Sequence, residues 1–557
     1  MGAGFTAEQL NTMDQAALVA IILAQQSQLE LQTQLLKQQA EKTDLLSQQV
    51  EYLIEQVRIA SQNRFGRKSE RMDVIDGQLS LFNEAEVLAD PSAEEPLVEE
   101  VVGPYRRKKQ KGKREADLAG FPAEPHIHAV TDEEADAYYG QGNWRRMPDE
   151  TYRRLRYEPA SYTVEEHTVQ VLVGTGGDHQ DEFLRGERPK DLIQNSIVTP
   201  SLGAAILNGK YVNSMPLYRI EQELNRSEVS LSRQTMSNWV LRFAEYFRPL
   251  WERMHAELLS LPVTQCDETP VLVVHGDPSL GEKPALSSRS YMWVHRSGEF
   301  YKDRPIILYE YQTGRNHEHP KAFYRDYKGF LVTDGLQQYH LVEKELPGIT
   351  NANCWAHARR DFADACKAMG TKNQALKTSV AHRALELIGA VYAAEEPLKD
   401  LSREERHKQR QITVKPLVEA FFAWVREQLE RNTVPPKGKT AEGLNYCLNQ
   451  EKYLRVFLTD GDIPIDNSAS ERAIRTFCIG KKNWVLHNTT RGARASAIIY
   501  SVSETAKANN LKPYEYFKHL LSELPNRADE DGNIDPSGLD DLLPWSEDLP
   551  DECYKRR

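Results

Sequence analysis

Three carboxylates stand apart by their sequence context. Asp267 lies in Thr264-Gln265-Cys266-Asp267-Glu268-Thr269-Pro270, inside a run that reads as a β-strand. Asp334 closes Gly329-Phe330-Leu331-Val332-Thr333-Asp334-Gly335, a buried-looking strand whose final glycine lets the chain turn away. Glu471 stands in Asp466-Asn467-Ser468-Ala469-Ser470-Glu471-Arg472-Ala473-Ile474-Arg475, at the start of a helical pattern. Acids from two strands and a helix can meet although they are far apart in the chain. Converged, they would offer hard oxygen ligands to two Mg²⁺ ions ~3.5–4 Å apart, which activate an attacking oxygen and stabilise a leaving one. Taken singly, each is more ordinarily a surface or strand-end acid. Spacing alone does not establish convergence.

The elements that must position them follow one another in a telling order. Val263 to Val274, Ser290 to His295 and Pro305 to Gln312 are β-rich runs bounded by Gly, Pro, Ser and Asp. A short helical stretch near Lys321 leads into the strand that ends at Asp334. Three strands, a helix and another strand is the order expected of an RNase H-like core. Residues 375 to 430 are mostly helical and polar, as an insertion would be, and 466 to 524 return to amphipathic helix and strand.

The amino-terminal half carries the features of an assembly and binding region. Residues 15 to 60 read as one helix without Pro or Gly. Ile22, Leu29, Leu36, Thr43, Val50 and Val57 fall at a positions, and Leu18, Leu46 and Leu53 at d, with Gln25, Gln32 and Gln39 at the remaining d places. That is a coiled-coil seam whose polar members fix register and partner number; a helix packed on its own core is the alternative. An acidic, Pro-containing stretch from Glu84 to Glu100 reads as linker. Arg106, Arg107, Lys108, Lys109, Lys111, Lys113 and Arg114 then form a basic run, either a solvated charge cluster or an arm that binds phosphates by counterion release. Residues 118 to 185 look β-rich, with alternation at His126 to Val130 and Tyr162 to Val173. Further on, Pro216 to Asn225 and Ser232 to Phe243 read as two helices with a short turn, Ser232 as N-cap, and Arg233, Gln234, Ser237 and Asn238 projecting from the second. This is the layout of a helix-turn-helix that reads base edges, although a structural helical hairpin has the same pattern.

Composition narrows the class. The chain has 557 residues, too many for one compact domain, and its 70 Lys and Arg against 82 Asp and Glu give a net charge of −12. A histone-like polycation is excluded; local patches remain open to nucleic acid. From Glu471 to Arg494 the cations Arg472, Arg475, Lys481, Lys482, Arg491 and Arg494 face a single acid, a credible groove for a phosphate backbone. Trp484 within it would stack on an unpaired base or sit in the core. The 6 cysteines are scattered without a CxxC pair, so a disulfide framework or zinc ribbon is not expected. The apolar run Ala16 to Ala24 is short of the ~20 residues that span a bilayer and lacks a basic leader, so neither a membrane span nor a signal peptide is expected.

Several strings together carry a family resemblance. Asp267-Glu268-Thr269-Pro270, Asp334-Gly335, Asn353-Cys354-Trp355-Ala356-His357-Ala358-Arg359-Arg360-Asp361-Phe362 and Asp466-Asn467 through Arg475 resemble the insertion-sequence-66 family of bacterial transposases. So do Ile479-Gly480-Lys481-Lys482-Asn483-Trp484, Glu504-Thr505-Ala506-Lys507-Ala508-Asn509, Tyr514-Glu515-Tyr516, Arg64-Phe65-Gly66-Arg67-Lys68-Ser69-Glu70, Pro216-Leu217-Tyr218-Arg219 and Leu542-Leu543-Pro544-Trp545. The resemblance implies a DDE transposase in which Asp267, Asp334 and Glu471 are the metal-binding triad, with Asp466 and Glu504 as competitors for the third place. It implies two Mg²⁺ ions, replaceable by Mn²⁺. Arg359 and Arg360 would hold phosphates. Cys354-x-x-His357 resembles a signature that many such enzymes place here, in support of the active-site helix rather than of zinc. Members usually carry a cysteine-based zinc module after the basic arm, but residues 115 to 185 hold no cysteine, so no zinc is expected there.

The expected organisation is a multidomain α/β chain. A coiled-coil arm over 1–62 precedes a basic and acidic linker with a DNA-binding arm over 63–116. A small β-rich module over 117–185 and a helix-turn-helix-like domain over 186–258 follow. An RNase H-like core over 259–365 and 456–524 is interrupted by a helical insertion over 366–455, and an acidic tail over 525–557, expected to be poorly ordered, ends the chain. The expected activity is cleavage at an element's terminal inverted repeats and transfer of the freed 3′-OH into target DNA, by at least a dimer, in the bacterial cytoplasm and on the nucleoid when bound. Small accessory proteins belong to the same expectation. A retired transposase that only binds DNA, or a metal-dependent nuclease that cuts without joining, are the alternatives.

Overall fold

The computed structural model describes residues 190–276, 290–369 and 374–555 except 432, 433, 435 and 531, together with 131–141, 161–173, 183–185 and parts of a helix between 18 and 42. The chain divides into two units, residues 67–189 with the last two residues, and residues 1–66 with 190–555. In the smaller unit, α1 (Asp132–Tyr139) opens on a capping box. Thr131 Oγ1 accepts the Glu134 N–H, and the Glu134 carboxylate accepts the Thr131 N–H at 2.9 Å. Strands β1 (Val171–Val173) and β2 (Phe183–Arg185) pair antiparallel. Alternation predicted a strand from Tyr162, yet the strand begins only at Val171, and residues 161–170 are irregular and nearly all exposed. Alternating residues make a strand only where one face has something to pack against. The expected strand at His126 to Val130 and the basic run 106–114 lie outside the described residues.

Between residues 18 and 42 every described residue is helical, and Leu29 and Leu36 of the expected seam are 62% and 66% exposed. The helix therefore does not bury these leucines on the chain's own core. The seam from Thr43 onward lies outside the described residues.

The larger unit continues with α2 (Pro200–Leu207), α3 (Leu217–Arg226) and α4 (Arg233–Leu259). Ser232 caps α4, its Oγ accepting the Thr235 N–H at 3.2 Å. Sequence reading ended this helix at Phe243, but it runs 27 residues. Phe243, Phe247, Leu250, Met254 and Leu258 continue one buried stripe at helical spacing.

Strands β3 (Val263–Val271), β4 (Val273–His275), β5 (Ser290–Ser297), β6 (Ile307–Gln312), β7 (Gly329–Thr333) and β8 (Ile349–Asn353) follow, with α5 (Glu318–Phe323) before β7 and α6 (Gln337–Glu345) before β8. Five of the strands form a mixed sheet in the order β6-β5-β3-β7-β8. β5 is antiparallel to both β3 and β6, whereas β3, β7 and β8 are mutually parallel. The β3–β7 register runs from Val263–Phe330 to Gln265–Val332, so Asp267 lies two residues past its last pair on β3 and Asp334 directly follows β7.

After β8 come α7 (Trp355–Met369), the insertion helices α8 (Val380–Glu395), α9 (Arg403–Gln409), α10 (Lys415–Glu430), α11 (Lys439–Asn449) and α12 (Glu451–Leu454), then α13 (Ser468–Trp484), β9 (His487–Thr489), α14 (Thr490–Ala508) and α15 (Pro513–Glu523). The insertion helices share an apolar core with one face of the sheet, in which Val263, Val332 and Ala352 join Trp355 and Phe362 of α7, Phe421 and Phe422 of α10 and Leu444 of α11. Buried Arg410 is held there by Glu395 at 2.6 Å and by the carbonyls of Phe457 and Asp460 at 2.8 and 2.7 Å. On the other side of the sheet, α14 covers the outer edge of β6. Ser501 Oγ accepts the Tyr309 N–H at 2.7 Å, and Thr505 Oγ1 accepts the Ile307 N–H at 3.0 Å. Those backbone groups would otherwise be an open edge.

The carboxyl-terminal segment corrects one expectation. Despite its acids it is ordered on the main core, where Leu539, Leu542, Leu543, Leu549 and Cys553 are buried. Arg253 reaches Asp540 at 2.6 Å, and Tyr516 Oη donates to the Leu542 carbonyl at 2.6 Å. Leucines at spaced positions, not overall charge, decided whether the segment could repay its ordering entropy. Among the described residues no helix is long and apolar enough to cross a membrane.

Candidate active site

The alternation of β3 sends its residues to two different helices. Gln265, Asp267 and Thr269 share the face covered by α13, while Cys266 and Glu268 share the face covered by α6. Thr269 meets Cys478 of α13 at 3.7 Å, and Tyr339 of α6 hydrogen-bonds Glu268. The start of α13 is pinned to β3 by buried Asn467. Its Nδ2 donates to the Cys266 carbonyl at 2.8 Å, and its Oδ1 accepts from Gln265 Nε2 at 3.2 Å. Glu471 follows in the first turn of α13.

Asp334 and Glu471 each come close enough to Asp267 to act on it electrostatically. Burial pushes the Asp267 carboxyl well above the usual carboxylate range, and the charges of Glu268, Asp334 and Glu471 push the same way. Its hydrogen bond comes from the Glu268 N–H at 2.9 Å, and among the described residues no cationic side chain is paired with it. Burial, then the Glu268 charge, raises Asp334 to about 6, opposed by the Leu336 N–H on its Oδ1 at 3.1 Å and by Arg315 and Arg360. Burial raises Glu471 as well, opposed chiefly by Arg360. Carboxylates held together against their own repulsion fit a site for divalent cations, which remove the repulsion that burial amplifies.

The competitors for the third place have hydrogen-bond partners of their own, and Asp466 stays in electrostatic range of Glu471. Asp466 accepts the Ser468 N–H at 2.9 Å and the Tyr392 hydroxyl at 3.0 Å just before α13. Glu504 is buried against Thr476 at 3.1 Å and Lys507 at 2.6 Å.

Around the acids, Gly335 adopts φ +85°, and a Cβ there would lie 2.6 Å from Tyr446 Oη and 2.7 Å from Asn353 Nδ2. Tyr446 of the insertion donates to the Asp334 carbonyl at 3.1 Å, so the insertion supports the loop that presents Asp334. The Cys354-x-x-His357 spacing is a helix-capping spacing. The Cys354 sulfur receives the N–H of His357 on its own helix and the N–H of Asn467 at 3.2 Å, joining the head of α7 to the head of α13. His357 thereby faces Glu471, its Nδ1 3.8 Å from Oε1. Burial and, secondarily, Arg360 lower this histidine to about 4. Cys354, His357 and Glu471 are also near enough to one another to share an ion.

The expected DNA-contacting residues fall into distinct settings. Arg359 and Arg360 are exposed on α7, and Arg360 lies beside the acids. Arg472, on α13, pairs at 3.6 Å with Glu299, and Arg475 lies near Glu471. Lys481 donates to the Pro270 carbonyl at 2.6 Å, Lys482 is exposed, Arg491 binds Glu245 at 2.7 Å, and Arg494 lies over Tyr311. Trp484 packs on Phe477 and His487 with its ring partly buried, which favours the core reading over a stacking platform. Arg233, Gln234, Ser237 and Asn238 are all exposed on the first turns of α4.

Sequence reasoning missed Glu268 as a buried neighbour of the acids, bound by Arg315 and by Gln338 at 3.1 Å. Its position directly after Asp267 was a signal, but the faces of a strand could not be assigned without the partner helices. Asn467 was visible as a helix-start residue; its bonds to β3 were not.

Comparison with known proteins gives a consistent relationship. A family profile described as Transposase IS66 family matches residues 195–495, one described as IS66 C-terminal element matches 501–545, and one described as Transposase C of IS166 homeodomain matches 52–124. The last overlies the stretch read from composition as linker and basic arm. Among curated relatives, uncharacterized protein y4jD of Sinorhizobium fredii is 24% identical over 379 residues, covering 66% of this chain and 70% of its own length. Uncharacterized proteins y4qI and y4hP of the same organism are each 26% identical, the alignments covering 66% and 62% of this chain and 66% and 62% of theirs. This chain thus spans about two thirds of the length of these relatives.

Proposed function

The chain belongs to the IS66 family of transposases, and from that premise we propose that it cleaves DNA at the ends of an insertion sequence and joins them to target DNA through Asp267, Asp334 and Glu471. The observation that supports this reading is that Asp267, on β3, feels the charges of both Asp334, directly after the parallel strand β7, and Glu471, on the helix pinned to β3. The sheet order β6-β5-β3-β7-β8, with one strand antiparallel to its neighbours on both sides, supports an RNase H-like core.

Divalent cations, Mg²⁺ or Mn²⁺, held by these three residues would supply the charge that activates an attacking oxygen and stabilises the leaving one. The protein's part is to hold the carboxylates in place before DNA arrives. Asn467 fixes Glu471 relative to β3, and Tyr446 with Gly335 fixes Asp334. Arg360, beside Asp334 and Glu471, would receive the scissile phosphate, and Arg359, Arg472, Arg475 and Lys482 would follow the backbone away from it. The homeodomain-like region over 52–124 and the exposed first turn of α4 would read the terminal repeats. A first hydrolysis frees a 3′-OH, and its in-line attack on target DNA exchanges one phosphodiester for another without a nucleotide cofactor. Pairing two ends needs two protomers, and the exposed Leu29 and Leu36 offer a seam for a second copy. The reaction would take place in the cytoplasm, on the nucleoid, with or without small accessory proteins.

The test is incubation of the protein with Mg²⁺, labelled DNA from the two flanks of its own gene and a plasmid target, beside an Asp334→Ala variant. Labelled ends joined to plasmid by wild type alone are the expected result. Cleavage without joining would identify a nuclease, and binding with neither, even with the neighbouring gene products added, a retired DNA-binding protein.

A further inference from the structure

His357 is the unexplained polar group beside the acids. Its Nδ1 is buried and has no hydrogen-bond partner, while its side chain is only 15% exposed. On the other side of the ring, Arg360 Nη2 lies 2.9 Å from Nε2. A guanidinium can only donate, so Nε2 must present its lone pair, and the single ring proton sits on Nδ1. That N–H stands 3.8 Å from Glu471 Oε1, somewhat beyond a hydrogen bond, with no other acceptor taking it. The two helix heads that carry the pair are tied together. Asn467 N–H reaches Cys354 Sγ at 3.2 Å, and Trp355 N–H reaches the Ile465 carbonyl at 3.2 Å. The remaining gap can therefore be closed by a small rotation of the Glu471 carboxylate without movement of either helix. Long hydrogen bonds that tighten when a site fills are usual in enzymes lacking their ligands.

We infer that His357 is the positioning residue for Glu471: with Nε2 occupied by Arg360, it donates Nδ1–H to the carboxylate oxygen that the cations do not use, and so turns the other oxygen toward them. This rests on Glu471 being a cation ligand, as proposed above. Arg360 acquires a second task, since it fixes which nitrogen carries the proton. The Cys354-x-x-His357 spacing then has one purpose: the cysteine caps α7 and holds the head of α13, and the residue three positions on meets the third acid. A direct role as ligand is disfavoured, because the nitrogen that faces Glu471 is the protonated one.

The test measures Mn²⁺ binding to the full chain by electron paramagnetic resonance, without DNA, for wild type, His357→Asn, His357→Gln, His357→Ala and Asp267→Asn. The Asn amide occupies the place of Nδ1 and keeps the donor, whereas the Gln amide occupies the place of Nε2. Residues that orient metal ligands change affinity by about 10–100-fold when removed. His357→Asn is therefore expected within about threefold of wild type, and His357→Gln and His357→Ala about tenfold or more weaker. Wild-type affinity in the Gln and Ala variants, with Asp267→Asn impaired, would overturn the inference and leave the triad standing. Equal loss in all three His357 variants would also overturn it, since a donor at Nδ1 would then not be what matters. An Asp267→Asn variant that binds Mn²⁺ like wild type would instead bring down the triad itself.

Discussion

Asp334→Asn separates the cost of the acid cluster from its use. Burial and the Glu268 charge hold Asp334 at about 6, against an ordinary value of 3.8. Between those two pH values the native chain holds a proton that the unfolded chain has released. Stability of the metal-free wild type therefore falls as pH rises from about 4 to about 6 and stays at the lower level above that window. A difference of that size corresponds to about 3 kcal/mol. Asparagine removes the charge but keeps an oxygen for the Leu336 N–H, which Asp334 accepts at 3.1 Å. The variant should thus be more stable than wild type by about 1–3 kcal/mol at pH 7.5 in EDTA, with the advantage vanishing near pH 4. Adding Mg²⁺ reverses the order, because the wild type gains the binding energy that the variant forfeits, about 4.1 kcal/mol at a thousandfold excess over Kd. Urea unfolding followed by the fluorescence of the buried Trp293 and Trp355 measures both effects. A variant less stable than wild type at pH 7.5 in EDTA, or an advantage that does not change with pH, would refute the reasoning.

The supporting residues make separate predictions. Gly335→Ala forces a Cβ onto Tyr446 and Asn353 at φ +85°. It should cost about 1–2 kcal/mol in unfolding and, by displacing Asp334, reduce strand joining about 100-fold. Asn467→Ala removes the side-chain partner of the Cys266 carbonyl and the nearer of two acceptors of the Gln265 amide, so it should destabilise by about 1–3 kcal/mol and lower the joining rate while DNA binding in a gel-shift assay stays intact. Glu395→Gln leaves Arg410 buried without its countercharge. A loss of about 3–5 kcal/mol is expected, seen first as faster proteolysis within the insertion.

The difference between what was legible in the sequence and what was not follows from the range of each interaction. Local signals were read correctly where local physics decides. Ser232 caps α4, Gly335 supplies a positive φ after the strand, and the strands near Asp267 and Asp334 fall where β-rich runs predicted them. Local signals misled where distant partners decide. The alternation from Tyr162 became a strand only from Val171, α4 ran past Phe243 along a buried stripe, and the acidic tail was ordered by a core it could not announce.

The sequence by itself determined the family and which acids to examine, because motif strings and residue types are properties of the chain. Only the tertiary structure decided how they meet. Parallel pairing of β3 and β7 brought Asp334 within electrostatic range of Asp267, and Asn467 tied the head of the helix that carries Glu471 to β3. The same fold put a buried histidine against the third acid and made Trp484 a packed side chain. Hydrogen bonds and charges act over a few ångströms, and only folding brings residues hundreds of positions apart within that distance.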